Sequence, residues 1–422
     1  MGLFNIGRGY SSEPRVEHVD LRGDHMKKRT AAAVLLAAVG IAALVWAVNG
    51  LLTRQPGWTE VEADSSNEPS CAAEFVFNFN AGADGSSPTT QMKALTGIYT
   101  QAASEAEKLF SADVRDDEIH GLSLLNANVN KSVTLAPEVW NMLALLNDCG
   151  SREIFLGPIY EQYTTLFFCA TDEEAEGLNP YRNEQHRQLL AEMAAFACDP
   201  EQISVALEEG NRATLRVSDE YLDYAGKNGM ERLVDLYWMK NAFAADYMAE
   251  RMAAAGFTDG YLTCADGFTR SLGGSDVSIS GTLYDRVGKN IYKAAVADFG
   301  KVKSVVVFHD FPEGRQNAGF YYQFADGEMI TPYVDPSDGL CKNSVSCLSV
   351  CSDSLSCAQV MLAAKSAYIA DEFHPSQLRE ELADEGAFVF GRDACLYVSS
   401  DRIAVSDLLN DGSIEYSLEI LK

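Results

Sequence analysis

Positive charge is scarce in this chain. Against 61 Asp and Glu stand only 33 Lys and Arg among 422 residues, a formal net charge of -28. A surface of that sign repels a phosphate backbone, which excludes nucleic acid as a partner. Catalytic signatures are missing as well. No G-x-S-x-G mounts a serine on an elbow, and no H-E-x-x-H or other His–carboxylate cluster presents a zinc site. The glycine-rich stretch "GYLTCADGFTRSLGG" lacks G-x-G-x-x-G and opens no helix, so it is no dinucleotide fingerprint. His309-Asp310 closes the strand-like "SVVVFHD" and reads as a strand end meeting solvent; His120, His186 and His374 lie in polar, exposed-looking surroundings. No internal repeat is visible.

One long apolar run is present. Ala31–Val48 carries no polar side chain and, extended to Leu52, is long enough to cross a hydrocarbon core about 30 Å thick. A cleavable secretory signal has a shorter apolar region of about 7–15 residues before a small-residue cleavage site. The reading adopted is an uncleaved anchor. Lys27, Lys28 and Arg29 abut the run on one side, and Arg54 alone lies close on the other. The positive-inside rule then makes residues 1–29 a cytoplasmic tail, 30–52 a single-pass anchor in the cell membrane, 53–70 an acidic linker and 71–422 an extracytoplasmic domain. Residues 1–29 hold 6 basic and 4 acidic side chains, so the rest carries 27 against 57. Such an excess of one sign keeps an exported body soluble.

All ten cysteines follow the anchor. An oxidising exterior favours disulfides, but the spacings match no small scaffold, and the sequence leaves thiol or disulfide open. Cys341, Cys347, Cys351 and Cys357 depart from the paired C-x2–4-C of structural zinc sites. Cys347 and Cys351 fall on one face of a strand, where cysteine behaves as a small buried hydrophobe, so no metal site is expected.

The remaining pattern mixes strands and helices without a βαβ rhythm, which predicts one α+β domain. "EFVFNFN" alternates with Phe75, Phe77 and Phe79 on one face. Met92, Leu95, Tyr99, Ala102, Ala106 and Leu109 form a helical stripe within 90–110. Helices are expected from Pro137, over 182–198, over 240–255 and over 356–373. "ISVALEEGNRATLRV" reads as two strands around a turn, and "GAFVFGRDACLYVSSDRI" as two more.

At "DEYLDYAGKNGMERLVDLYWMKNAFAADYMAERMAAAGFTDGYLTCADG" the chain resembles the FAD:protein FMN transferases of the ApbE type. There a strand "lDLGgiaKG" leads into a helix "yavDraaelLraaG" and a strand "alvnlGGd". Val234-Asp235-Leu236, Phe243-Ala244-Ala245-Asp246 and Gly256 hold the corresponding places. Leu125-Asn126, Gly157-Pro158 within "IFLGPIYEQY", and Asp335-Pro336 with Gly339 within "YVDPSDGLCKNSVSCLSV" follow in the family's order. The likeness runs from about residue 75 to 373.

What the resemblance implies is FAD and Mg²⁺, with transfer of FMN to a threonine of an exported flavoprotein acceptor. The cation would neutralise the pyrophosphate and polarise the bond broken. Carried over residue by residue, the flavin-binding candidates are Asn126, Gly157, Pro158, Asp246, Asp335 and Gly339. The departures are specific. The family's Lys-Gly becomes Asn241-Ala242, its "nlGGD" becomes "TCADG", its His falls on Thr331 or Pro332, and its metal-binding Asp and Thr fall on Ala358 and Leu362. Mg²⁺ thereby loses its expected ligands, and no catalytic residue is assigned. An active enzyme would need replacements such as Asp266, Asp338 or Asp353; an inactive relative would need none. The competing reading is an unrelated surface-anchored binding or scaffold domain without a flavin role.

Overall fold

The computed structural model describes residues 30–41, 43, 56–65, 68–274 and 277–421. Residues 1–54 and 55–422 are separate compact units. In the first, residues 30–41 are helical. Of the expected anchor, residue 42 and residues 44–52 lie outside the described residues, as does the tail 1–29. Among the described residues no helix is long and apolar enough to cross a membrane.

Among its described residues the second unit is built on seventeen strands. They are β1 (Gly57–Val61), β2 (Phe75–Ala81), β3 (Ser132–Thr134), β4 (Ile203–Glu208), β5 (Arg212–Val217) and β6 (Gly260–Cys264). Next come β7 (Phe268–Ser271), β8 (Ile279–Val287), β9 (Asn290–Gly300), β10 (Ser304–His309), β11 (Tyr322–Gln323) and β12 (Met329–Ile330). The last are β13 (Cys347–Ser352), β14 (Gly386–Arg392), β15 (Cys395–Val398), β16 (Ala404–Ser406) and β17 (Ser417–Ile420). Nine form the central sheet in the order β1-β2-β6-β7-β10-β13-β14-β15-β17. Neighbours are antiparallel except the edge pair β15 and β17.

Period-two alternation sends the sheet's side chains into two cores. Phe77, Val306, Phe308, Leu348, Val350 and Phe388 enter the main core, which is covered by the helices Pro88–Phe110, Lys240–Ala254 and Cys357–Tyr368. Val305, Cys351, Ala387, Val389, Leu396 and Val398 point the other way, onto the small sheet β16-β9-β8. The three helices bury the stripes that their apolar spacing demands. Lys240–Ala254, rich in alanine and methionine, stops at Gly256, whose φ of +90° suits a left-handed cap.

Three expectations need correction. The linker assigned to 53–70 is not all tether: β1 pairs with β2, placing Trp58 opposite Asn80 and burying Val61. "GWTEV" is too short and too polar to announce a strand, yet the ladder to the phenylalanine strand recruits it. The last helix ends at Tyr368, and a separate helix, Pro375–Glu381, follows. His309-Asp310 does not meet solvent. Both are buried, Asp310 against Arg286 and His309 with Nε2 3.1 Å from Glu313. All ten cysteines are thiols, seven of them buried.

Candidate ligand-binding cleft

A cleft of about 500 Å³ opens where the helix Lys240–Ala254 begins. Its acids come from distant parts of the chain: Glu74 before β2, Glu107 on Pro88–Phe110, Asp113 just beyond that helix, Asp235 ahead of the helix Lys240–Ala254, and Asp266 in the β6–β7 turn. That turn is pressed against β10. Gly267 has φ +91°, and a Cβ there would lie 1.9 Å from the Val307 carbonyl oxygen, so only glycine fits.

Lys240 and Asn241 tie these acids together. Lys240 Nζ donates to Glu74 Oε1 and Glu107 Oε2, each at 2.9 Å. Asn241 Nδ2 donates to Glu74 Oε2 at 2.7 Å and to Asp266 Oδ2 at 2.6 Å. Those two donations fix the amide orientation. They leave Asn241 Oδ1 buried without a hydrogen-bond partner among the described residues. Nearby, Arg232 lies between Asp113, at 2.7 Å, and Asp235, at 3.4 Å. Asp235 Oδ1 accepts the Tyr237 N–H at 2.8 Å.

The electrostatics follow from this crowding. Burial pushes the Asp235 carboxyl up to about 6, against the Tyr237 N–H and Arg232, which lower it. Burial likewise pushes Asp266 up to about 6 despite the Asn241 hydrogen bond. Burial works against a charged Lys240, but Glu74 and Glu107 outweigh it and hold the amine above the ordinary lysine range.

Aromatic rings line the mouth. Tyr237 stacks on Tyr160 with ring centres 4.5 Å apart, and Phe320 meets it edge-on at 5.6 Å. Tyr237 has φ +47°, a conformation that costs a non-glycine residue about 1–3 kcal/mol. In the pattern "lDLGgiaKG" this position is a glycine.

The six residues carried over as flavin-binding candidates are engaged within the protein. Asn126 accepts the N–H groups of Leu233 and Val234 and donates to the Val234 carbonyl, pinning the segment that leads to Asp235. Gly157 starts the helix Gly157–Phe167 where a Cβ would meet the Arg232 carbonyl at 2.2 Å, with Pro158 buried beside it. Asp335 accepts the Ser337 N–H and pairs with Lys342 at 2.8 Å. Gly339, at φ +75°, closes that turn. Asp246 accepts the backbone N–H groups of Cys357 and Ala358 at 3.0 and 2.9 Å, and the Arg270 side chain at 2.9 Å. It thus caps the helix Cys357–Tyr368 from outside, its charge set against the helix dipole.

Sequence reasoning missed Glu74, Glu107, Tyr237 and Phe320, which no local pattern marks. The resemblance puts a lysine where Asn241 stands, and Lys240 brings an amine into the cleft one position earlier. Of the three replacement acids, Asp266 lies in the cleft; Asp338 pairs with Lys342 and Asp353 with Arg402.

The arrangement does not fit Mg²⁺. At the expected positions Ala358 and Leu362 offer a methyl and an isobutyl group, and Mg²⁺ demands hard oxygen ligands. Among the described residues no group of three or more His, Cys, Asp or Glu is placed to hold a metal ion. Without a cation, a pyrophosphate in the cleft would face Glu74, Glu107, Asp113, Asp235 and Asp266, while Lys240 and Arg232 are already paired.

The fold is that of the flavin transferases called ApbE. The ApbE protein of Thermotoga maritima superposes with a TM-score of 0.52 at 12% identity, over 86% of this chain and 99% of that one. The flavin transferase ApbE of Vibrio cholerae gives 0.48 at 13% identity, over 84% and 98%. No family model and no curated protein matches the sequence.

Proposed function

We propose that this chain is a membrane-anchored, extracytoplasmic protein of the FMN-transferase type, linked to exported flavoproteins, that has given up Mg²⁺-dependent transfer of FMN. The observation that carries this reading is the state of the helix start at Cys357. Where the resemblance puts two metal ligands, alkyl groups stand, and the acid beside them, Asp246, is committed to two backbone N–H groups and Arg270. The apolar run 31–48 and its flanking charges support the anchor. FAD enters this reading through the fold alone, and the cleft's charge disfavours it.

The test mixes the full-length chain, in nonionic detergent, with FAD, Mg²⁺ and an acceptor carrying the family's threonine-containing target motif. Covalent FMN is read by in-gel fluorescence. The expected result is an unlabelled acceptor; a fluorescent band would overturn the reading.

A further inference from the structure

We propose that the cleft at Lys240 receives a small organic cation, an alkylammonium or guanidinium group. Asp235, Asp266 and the Asn241 Oδ1 are its acceptors, and Tyr237 and Phe320 form its wall. The inference rests on the reading above only in taking this cleft as the functional site.

Three independent features point to such a ligand. The first is charge. Five acidic side chains line the cleft against two basic ones, Arg232 and Lys240. Lys240 is shared by Glu74 and Glu107, and Arg232 by Asp113, Glu161 and Asp235. The surplus negative charge therefore falls to the cleft itself. The second is the Asn241 Oδ1. Asn241 is 2% exposed and lines the cleft, and its oxygen is an acceptor with no donor among the described residues. A buried acceptor without a partner costs about 1–3 kcal/mol, which a ligand N–H recovers. The third is the wall. Tyr237 and Phe320 line the same cleft. Aromatic faces beside carboxylates are the surroundings in which an ammonium or guanidinium gains a cation–π contribution. A phosphate or carboxylate ligand would gain from none of the three. The raised carboxyls of Asp235 and Asp266 agree, since each is a desolvated acid that an incoming positive charge would favour in its ionised form.

The test is titration calorimetry on the full-length chain in nonionic detergent with 1,4-diaminobutane, methylguanidine or tetramethylammonium, and potassium as the control. Binding of at least one organic cation is expected, with affinity rising from pH 5 to 7.5 as Asp235 and Asp266 ionise beside Glu74, Glu107, Asp113, Lys240 and Arg232. Asp266→Asn should weaken it roughly tenfold or more, as expected for loss of a hydrogen bond to a charged group. Phe320→Ala, which leaves every carboxylate in place, should weaken tetramethylammonium more than diaminobutane. The proposal is overturned if no organic cation binds better than potassium, or if neither substitution changes affinity. The acceptor-labelling assay is separate: labelled acceptor with intact cation binding would sink the transferase-loss reading and leave this one standing. An unlabelled acceptor with no cation binding would do the reverse.

Discussion

Asp246 ties three separate parts of the chain together through one carboxylate. It lies on the helix Lys240–Ala254, and its oxygens hold the start of the helix Cys357–Tyr368 and the buried Arg270. Arg270→Ala would leave that carboxylate buried without its counter-charge. A loss of about 3–5 kcal/mol is expected, measured by urea unfolding. Asp266 should behave in the opposite way. Its carboxyl is raised from 3.8 to about 6, so the folded chain keeps a proton that the unfolded chain has released. Its contribution is therefore least harmful below about pH 4, and stability falls as pH rises towards 6. Asp266→Asn removes that dependence. The melting temperature of the variant should gain on the parent between pH 4 and 7, and a constant difference would refute the assignment. Comparing variant with parent cancels the opposite trend from His309. That ring is pushed by burial from 6.5 down to about 3 and costs stability as pH falls through that range.

At the scale of elements, the helix Cys357–Tyr368 is held at its start twice over. Ser356 and Gln359 form a capping box, each side chain bonding the other's backbone N–H, while Asp246 takes the N–H groups of the first two helical residues. Ser356→Ala should cost about 1 kcal/mol in the same urea experiment, less than Arg270→Ala, because Asp246 remains. Elements were the most legible part of the sequence. The alternation of Phe75, Phe77 and Phe79 and the stripe from Met92 to Leu109 are both buried as expected. Less legible was the helix Pro137–Asp148. Its spacing sets Trp140, Leu143 and Ala144 inward; Leu143 is buried, but with Val139, Met142 and Leu146 rather than with Trp140 and Ala144, a face rotated by about one residue. Two neighbouring stripes of that helix are both apolar, and only the packing partner selects between them.

At the scale of the molecule, the proposed orientation places every cysteine outside the cell. Cys149 is exposed, whereas seven of the ten thiols are buried. A membrane-impermeant maleimide should label intact cells, and Cys149→Ser should remove most of the signal. Labelling that appears only after lysis would put the body on the cytoplasmic side.

The sequence by itself determined the charge of the surface, the apolar run near the start, and most helices and strands. These are local properties, set by composition and by periods of two or 3.6 residues. Only the tertiary structure decided what the cleft is. Lys240 meets Glu74 across 166 positions and Glu107 across 133, and no period in the sequence encodes either meeting. Burial of the sheet's two faces brings those segments together, and that closure gathers scattered acids into one negative cleft in which Asp235 and Asp266 are desolvated.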